Sequence, residues 1–231
     1  SRNIGISNCQ SDFLLFCDVD DSLDLNPLND LNMILNKKFD FQIFNRQYTN
    51  TINRFQDSVN HGYQGILNSA NISKLVIAYL HSPVGRSILI HCWGCIYNRK
   101  FLIEHGISFN ESLDKYEDSL FVSKVLTTSK CINISNINIY SYWAHDSGLS
   151  HTSQKSVGKF IQHIEVYCEY LINIKITNVI ELKHSAISYY LSRTLVQLQY
   201  KGFIYIFSAI NKILSEEAIL ESIKFYKIQC L

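Results

Sequence analysis

The sequence predicts an α/β fold, a mixed sheet with helices on both faces followed by a helical C-terminal region, on three observations. A continuous apolar run, Phe13-Leu14-Leu15-Phe16-Cys17, ends abruptly in Asp18-Val19-Asp20-Asp21, the pattern of a buried strand whose carboxyl end opens on a site. Strand-like and helix-like stretches then alternate over short connections. Beyond Ile139-Tyr140-Ser141-Tyr142-Trp143 the apolar residues fall at helical spacing instead. The chain therefore divides into a core over 1–150 and a helical region over 151–231. Only the change of pattern sets that boundary, because no repeat, Pro or Gly linker or low-complexity block marks it.

Taken in order, Ser1 enters a short helix, and the apolar run after it is expected to be a central parallel strand. Asn26-Pro27 supplies an N-cap and a proline at the first helical position, with Leu28, Leu31, Ile34 and Leu35 along one face of the helix that follows. Phe39, Phe41 and Ile43 alternate with polar neighbours as in a strand, whereas 45–71 is polar and poorly periodic and reads as a loop or variable insertion. Ser73 caps a helix through His81, which Pro83 and Gly85 end before an extended run from Ile88 to Tyr97. Asn98 caps another helix reaching His105 with Gly106 behind it, and Leu120, Phe121, Val125 and Leu126 define a helix beginning near Tyr116. Phe160, Ile161, Ile164, Tyr167, Cys168 and Leu171 open the helical region, with further helices at about 178–200, 203–214 and 216–228.

A chain of 231 residues buries roughly 70% of its unfolded surface. Hydrophobic content of 47% against 18% charged, with a formal charge of +1, excludes a disordered chain and leaves no strongly basic face for nucleic acid. The longest apolar stretch, Gly202 to Ile210, falls short of the roughly 20 residues that cross a bilayer. Phe203, Ile204, Tyr205, Ile206 and Phe207 allow peripheral contact with a membrane surface, although packing within the protein is the favoured reading. Seven cysteines, an odd number without a secretory signal, fit free thiols in a reducing cytoplasm. Cys92 and Cys95 have C-x-x-C spacing, but no second pair completes a zinc site. The sequons at Asn71, Asn110 and Asn133 lack a secretory context.

Asp18, Asp20 and Asp21 at the end of an apolar strand repel one another, and a shared hard cation is the economical explanation. Asp18 and Asp20 point to one side of an extended segment and could hold Mg²⁺ or Mn²⁺ against a diphosphate. A turn with helix-capping aspartates is the plainer alternative. The same strand and Asp-x-Asp also resemble the first motif of haloacid-dehalogenase-type phosphatases, with Asp18 as nucleophile and Asp20 as general acid. Asp21 stands where that family has glycine, and its later Ser or Thr, lysine and acidic pair are not found.

Ser1-Arg2-Asn3-Ile4-Gly5-Ile6, the Phe13 to Phe16 run and Asp18-Val19-Asp20-Asp21 together resemble glycosyltransferase family 2, of the GT-A, Rossmann-like fold, in order and in spacing. A second block strengthens the resemblance: Cys92-Trp93-Gly94-Cys95-Ile96-Tyr97-Asn98-Arg99-Lys100-Phe101-Leu102, Gly106-Ile107-Ser108-Phe109 and Tyr116-Glu117-Asp118 look like the family's acceptor side. The resemblance implies that Arg2 and Asn3 lie beside the donor nucleotide with Asp18 and Asp20, and that Asp20 and Asp21 bind the metal. It implies that Asp118 is the base that deprotonates the acceptor hydroxyl, with Glu117 positioning it. A first-turn carboxylate is favoured in its ionised form by the helix dipole. Trp93 is a candidate apolar wall for a sugar ring, with core packing the commoner fate of such a residue. Tyr140, Tyr142, His145, Ser150 and His151 stand where relatives have a Tyr-rich strand and a closing loop, His145 and His151 being candidate metal ligands.

The resemblance covers roughly 1–152, without the family's first strand, helix and second strand. It therefore implies a segment that lacks the N-terminal part of its nucleotide-binding half and folds weakly alone. The expected activity is inverting transfer of a sugar from a nucleotide-sugar, a UDP-sugar first among them. The acceptor is a hydroxyl of a surface glycan such as lipopolysaccharide or capsule, free or lipid-linked, in the cytoplasm. A degenerate relative that binds glycan or protein without turnover is the alternative, and the phosphatase stands third.

Overall fold

The computed structural model describes residues 2–24, 26, 39–49, 54–57, 63–83, 89–113, 117–143, 157–198 and 221. It divides into two compact units, one of 1–73 with 88–154, the other of 74–87 with 155–231.

A mixed sheet organises the first unit. Its strands are β1 (Phe13–Leu15), β2 (Ser22–Leu23), β3 (Phe41–Thr49), β4 (Arg54–Asp57), β5 (Gly65–Asn68), β6 (Cys95–Asn98) and β7 (Cys131–Trp143). Their order is β1-β6-β3-β7-β2, with β4 added to β3 and β5 to β7. β3 and β7 run parallel, and the other ladders are antiparallel. On one face Phe41 stacks on Tyr97 at 5.0 Å and Phe109 on Phe121 at 3.9 Å, while Phe16 meets both of the latter edge-on. On the other, Phe44, Trp93, Ile96, Ile139 and Tyr140 form a buried cluster joined by Phe13 and Leu15. Each such ring removed from water contributes about 1.5–3 kcal/mol.

This two-sided packing explains why 13–17 is apolar throughout, and it corrects the expected strand position. β1 is not a central parallel strand: among the described residues it pairs on one side only, antiparallel to β6, and is half-buried. Phe16 adds a single parallel bridge to Trp93. A continuous apolar run reports covered faces and is silent on strand direction. The supposed loop over 45–71 is also corrected, since β3 continues to Thr49, pairs with β4 as a hairpin, and β5 follows. Polar side chains on both faces hide such a strand from a period-two search.

Helices of this unit are α1 (Arg2–Asn8), α3 (Arg99–Glu104) and α4 (Glu117–Thr128), and α2 (Ser69–His81) begins in it. α2 starts four residues before Ser73 because Asn68 caps it, its Oδ1 accepting the Asn71 N–H at 3.1 Å. Of the expected extended run, the described part from 89 onward is strand only in β6, which begins after Gly94 turns the chain at φ +68. A Cβ there would lie 3.7 Å from that of Tyr140. Asn98 does cap α3, accepting the Phe101 N–H at 3.2 Å, and Gly106 leaves it at φ +61. Arg99 ties α1 to this segment by donating to the Ile6 and Ser7 carbonyls at 3.1 and 3.4 Å.

In the second unit the rest of α2 joins α5 (Val157–Asn173) and α6 (Val179–Leu198). Leu75, Val76, Ile164, Leu171, Leu182 and Ala186 are buried there, and the Tyr79 hydroxyl meets His163 Nε2 at 2.7 Å. The helices expected at 27–38, 203–214 and 216–228, with the apolar stretch 202–210, lie outside the described residues. No helix among the described residues is long and apolar enough to cross a membrane.

Candidate active site

The chain leaves β1 at Phe16 and turns through Asp18-Val19-Asp20-Asp21, the Asp21 N–H donating to the Asp18 carbonyl at 3.1 Å. Tyr140, near the C-terminal end of β7, holds that turn from beneath. Its hydroxyl donates to Asp21 Oδ2 at 2.6 Å and accepts the Asp18 N–H at 3.2 Å. The other Asp21 oxygen accepts the Trp143 N–H at 2.9 Å. Val19 and Asp20 at the tip face solvent, and among the described residues Asp20 bonds to no protein group. Burial raises the Asp21 carboxyl above its ordinary value against the pull of Tyr140 and Trp143.

Arg2 joins this turn to α4. Its Nη2 donates to Asp18 Oδ1 at 2.9 Å, its Nη1 bonds Asp118 Oδ1, and Glu117 Oε1 lies 3.4 Å from the same nitrogen. The Phe109 ring backs the guanidinium at 5.3 Å. Asn3 clamps that ring's backbone, taking the Phe109 N–H on Oδ1 at 2.8 Å and donating Nδ2 to its carbonyl at 2.9 Å and to Glu111. Asn3 thus braces the segment before α4, with its amide committed to protein.

Asp118 is the deepest of these carboxylates, its side chain 16% exposed. Burial pushes its carboxyl from 3.8 up to about 6, against Arg2 and a hydrogen bond from the Cys92 thiol, with the Glu117 charge adding to the rise. Ser119 fixes the start of α4 by donating to the Ile90 carbonyl at 3.1 Å. A carboxylate so placed accepts a proton near neutral pH far better than an exposed one.

Arg2, Asp18, Glu117 and Asp118 are thus brought to one point, with Asp20 and Asp21 on the adjoining turn. Trp93 does not offer a wall to a ligand: it is 3% exposed, stacked on His91, Tyr140 and Tyr142 at 4.6, 5.0 and 5.3 Å. His145, Ser150 and His151 lie outside the described residues. No group of three or more His, Cys, Asp or Glu able to hold a metal forms among the described residues, and Asp21 is engaged by β7. The donor set nevertheless suits a hard cation, with the unengaged Asp20 beside Asp18.

Sequence reading missed the contact of Cys92 with Asp118 and the burial of Arg46, which is 1% exposed with Cζ 4.5 Å over the Trp93 ring. A charged residue in a polar stretch carries no signal of such burial. It also assigned Tyr140 only to a Tyr-rich strand, where alternation along β7 could have aimed it at the turn.

Scanned against protein families the sequence matches none, and no curated protein matches it. Solved structures are similar. Residues 1–349 of TarS from S. aureus in complex with UDP-GlcNAc superpose with a TM-score of 0.63 at 16% identity, covering 94% of this chain and 60% of that one. The same TarS region in complex with UDP gives 0.62 at 16% identity over 96% and 59%. TarS itself gives 0.56 at 16% identity over 83% and 30%. The chain therefore spans about 60% of the length of the first two structures, and its fold is GT-A-like, as theirs is.

Proposed function

We propose that the chain transfers a sugar from a nucleotide-sugar, a UDP-sugar first among candidates, to a hydroxyl of a glycan acceptor with inversion at the anomeric carbon. The observation that carries this reading is Arg2, which gathers Asp18 from the Asp-x-Asp-Asp turn and Asp118 from α4 onto one guanidinium. Likeness to structures of TarS with UDP and UDP-GlcNAc supports it, as does a base raised to about 6.

In this reading the donor diphosphate lies over the turn beside Asp18 and Asp20, and the acceptor approaches from the side of Asp118. The acceptor oxygen attacks the anomeric carbon as the bond from that carbon to the phosphate oxygen breaks. The electron pair leaves with the nucleoside diphosphate, and Asp118 takes the hydroxyl proton. Before the donor arrives Arg2 holds the base and the donor turn in register, and Glu117 sets the charge around Asp118. A divalent cation, Mn²⁺ or Mg²⁺ held by Asp20 with Asp18, would neutralise charge on the leaving diphosphate. His145, His151 and Asp21 remain candidates to complete its shell. Lipopolysaccharide, capsule or another surface glycan is the proposed acceptor class.

Titrating UDP with Mn²⁺ into the full chain tests this reading. Binding that Asp20→Ala weakens at least tenfold supports it, and a wild-type chain that takes up no nucleoside diphosphate contradicts it.

A further inference from the structure

Arg2 is the one cation bonded to the carboxylate cluster among the described residues, and it is shared. Its Nη1 serves Asp118 and Glu117, and its Nη2 serves Asp18. The arrangement satisfies a protein without donor, because a carboxylate as buried as Asp118 needs a counter-charge. A nucleoside diphosphate arriving over the turn brings further negative charge and meets this same guanidinium. Its planar fork suits phosphate oxygens at least as well as a carboxylate. Arg2 sits at the very start of α1, is 27% exposed and has its Cζ over the Phe109 ring, so its head can swing while the Asn3 clamp and the Arg99 contacts hold the helix.

We propose that Arg2 exchanges partners during the reaction, masking Asp118 while no donor is bound and moving to the diphosphate when one binds, so that the base is released only once a sugar can be attacked. This rests on the transferase reading. Of the partners, Asp118 is the one that gives way: burial already opposes its charge, and a proton from the acceptor is about to neutralise it. Glu117 and Asp18 stay to receive the returning guanidinium after the diphosphate leaves. The charged and titratable groups facing Asp118 are Arg2, Glu117, Cys92 and Asp18, with Cys95 and Tyr97 behind them, so its basicity rises when the single cation among them withdraws.

A double-variant cycle on UDP affinity, read by calorimetry on the full chain with Mn²⁺ present, tests the exchange. Asp118→Asn frees Arg2 from its competitor, and UDP then binds about tenfold tighter, the order expected for one charge-assisted bond. Arg2→Gln binds UDP about tenfold more weakly, and adding Asp118→Asn to Arg2→Gln brings no gain. General repulsion between Asp118 and phosphate would instead give the same gain in both backgrounds, and that result overturns the exchange. So does unchanged or weaker binding by Asp118→Asn alone. Should Arg2→Gln fail to fold, carbon-13 titration of Asp118 in the wild type decides: its carboxyl rises when UDP is added if Arg2 departs, and no rise contradicts the proposal. A wild type that binds no UDP defeats the transferase reading and the exchange with it. UDP binding with additive variants defeats the exchange alone.

Discussion

Tyr140 donates its hydroxyl hydrogen to Asp21 at 2.6 Å, and the two residues come from strands β7 and the turn after β1, 119 positions apart. The same oxygen accepts the Asp18 N–H. One phenol therefore fixes both ends of the acidic turn, while Asp20 at its tip stays open to solvent. Burial raises the phenol's own ionisation far above the usual range, as does its bond to Asp21, so it remains a donor at all working pH.

Tyr140→Phe keeps the stack on Trp93 and removes only that oxygen. We expect about 1–2 kcal/mol of lost stability, the cost of leaving partly buried polar groups unpaired. UDP should bind roughly tenfold more weakly because the turn is no longer preorganised. Thermal melts and calorimetry on the same preparation separate the two effects.

The rate at low donor concentration should depend on pH through Asp118. In the proposed transfer Asp118 acts as base only when ionised, and burial raises its carboxyl to about 6. The plot of kcat/KM for donor should therefore be flat above that pH and fall about tenfold per unit below it. An acid limb near 4 would show that Asp118 is not the group in control.

Stability runs the other way. A folded-state value of about 6 against 3.8 for an ordinary carboxyl means the folded protein holds the proton more tightly. Asp118 therefore costs nothing below 3.8, and its destabilising effect is complete above 6. Asp118→Asn should raise stability at pH 7 by about 1–3 kcal/mol, several degrees in Tm, and make little difference at pH 3.5. Equal melting at both pH values would contradict the burial of this charge.

Much of this was readable in the chain. The acidic turn after an apolar run, the Asn98 cap, Gly106 and the acidic first turn of α4 are local patterns with local causes. The pairing that makes the site is not local, since Arg2 reaches Asp118 across 116 positions and no periodicity encodes it. Asn3, expected beside the donor nucleotide, braces Phe109 instead, because an amide that matches a backbone N–H and C=O together is saturated by them. Trp93 could have been wall or core on sequence alone, and the neighbouring rings of Tyr140 and Tyr142 decide for core. The far half of β3 and all of β4 escaped because Gln47 and Gln56 face each other in a ladder without apolar alternation.

Arg46 supplies an independent check on the sheet. Its Nη1 and Nη2 are buried and make no hydrogen bond among the described residues, so its charge is held chiefly by the Trp93 ring. Arg46→Met, which keeps the packing, should be neutral or stabilising by about 1–2 kcal/mol, whereas Arg46→Ala should cost about 2 kcal/mol through the cavity it leaves. Denaturant unfolding of both variants reads the difference.

Base catalysis by Asp118 is read out by UDP release from a panel of UDP-sugars with Mn²⁺ and glycan acceptor, comparing the full chain with its Asp118→Asn variant. We expect acceptor-dependent release by the wild type and a loss of about 10²- to 10⁴-fold in kcat by a variant that still binds UDP. Equal release by both proteins, or a wild type that binds no UDP and frees phosphate from small phosphoesters through Asp18, would contradict it.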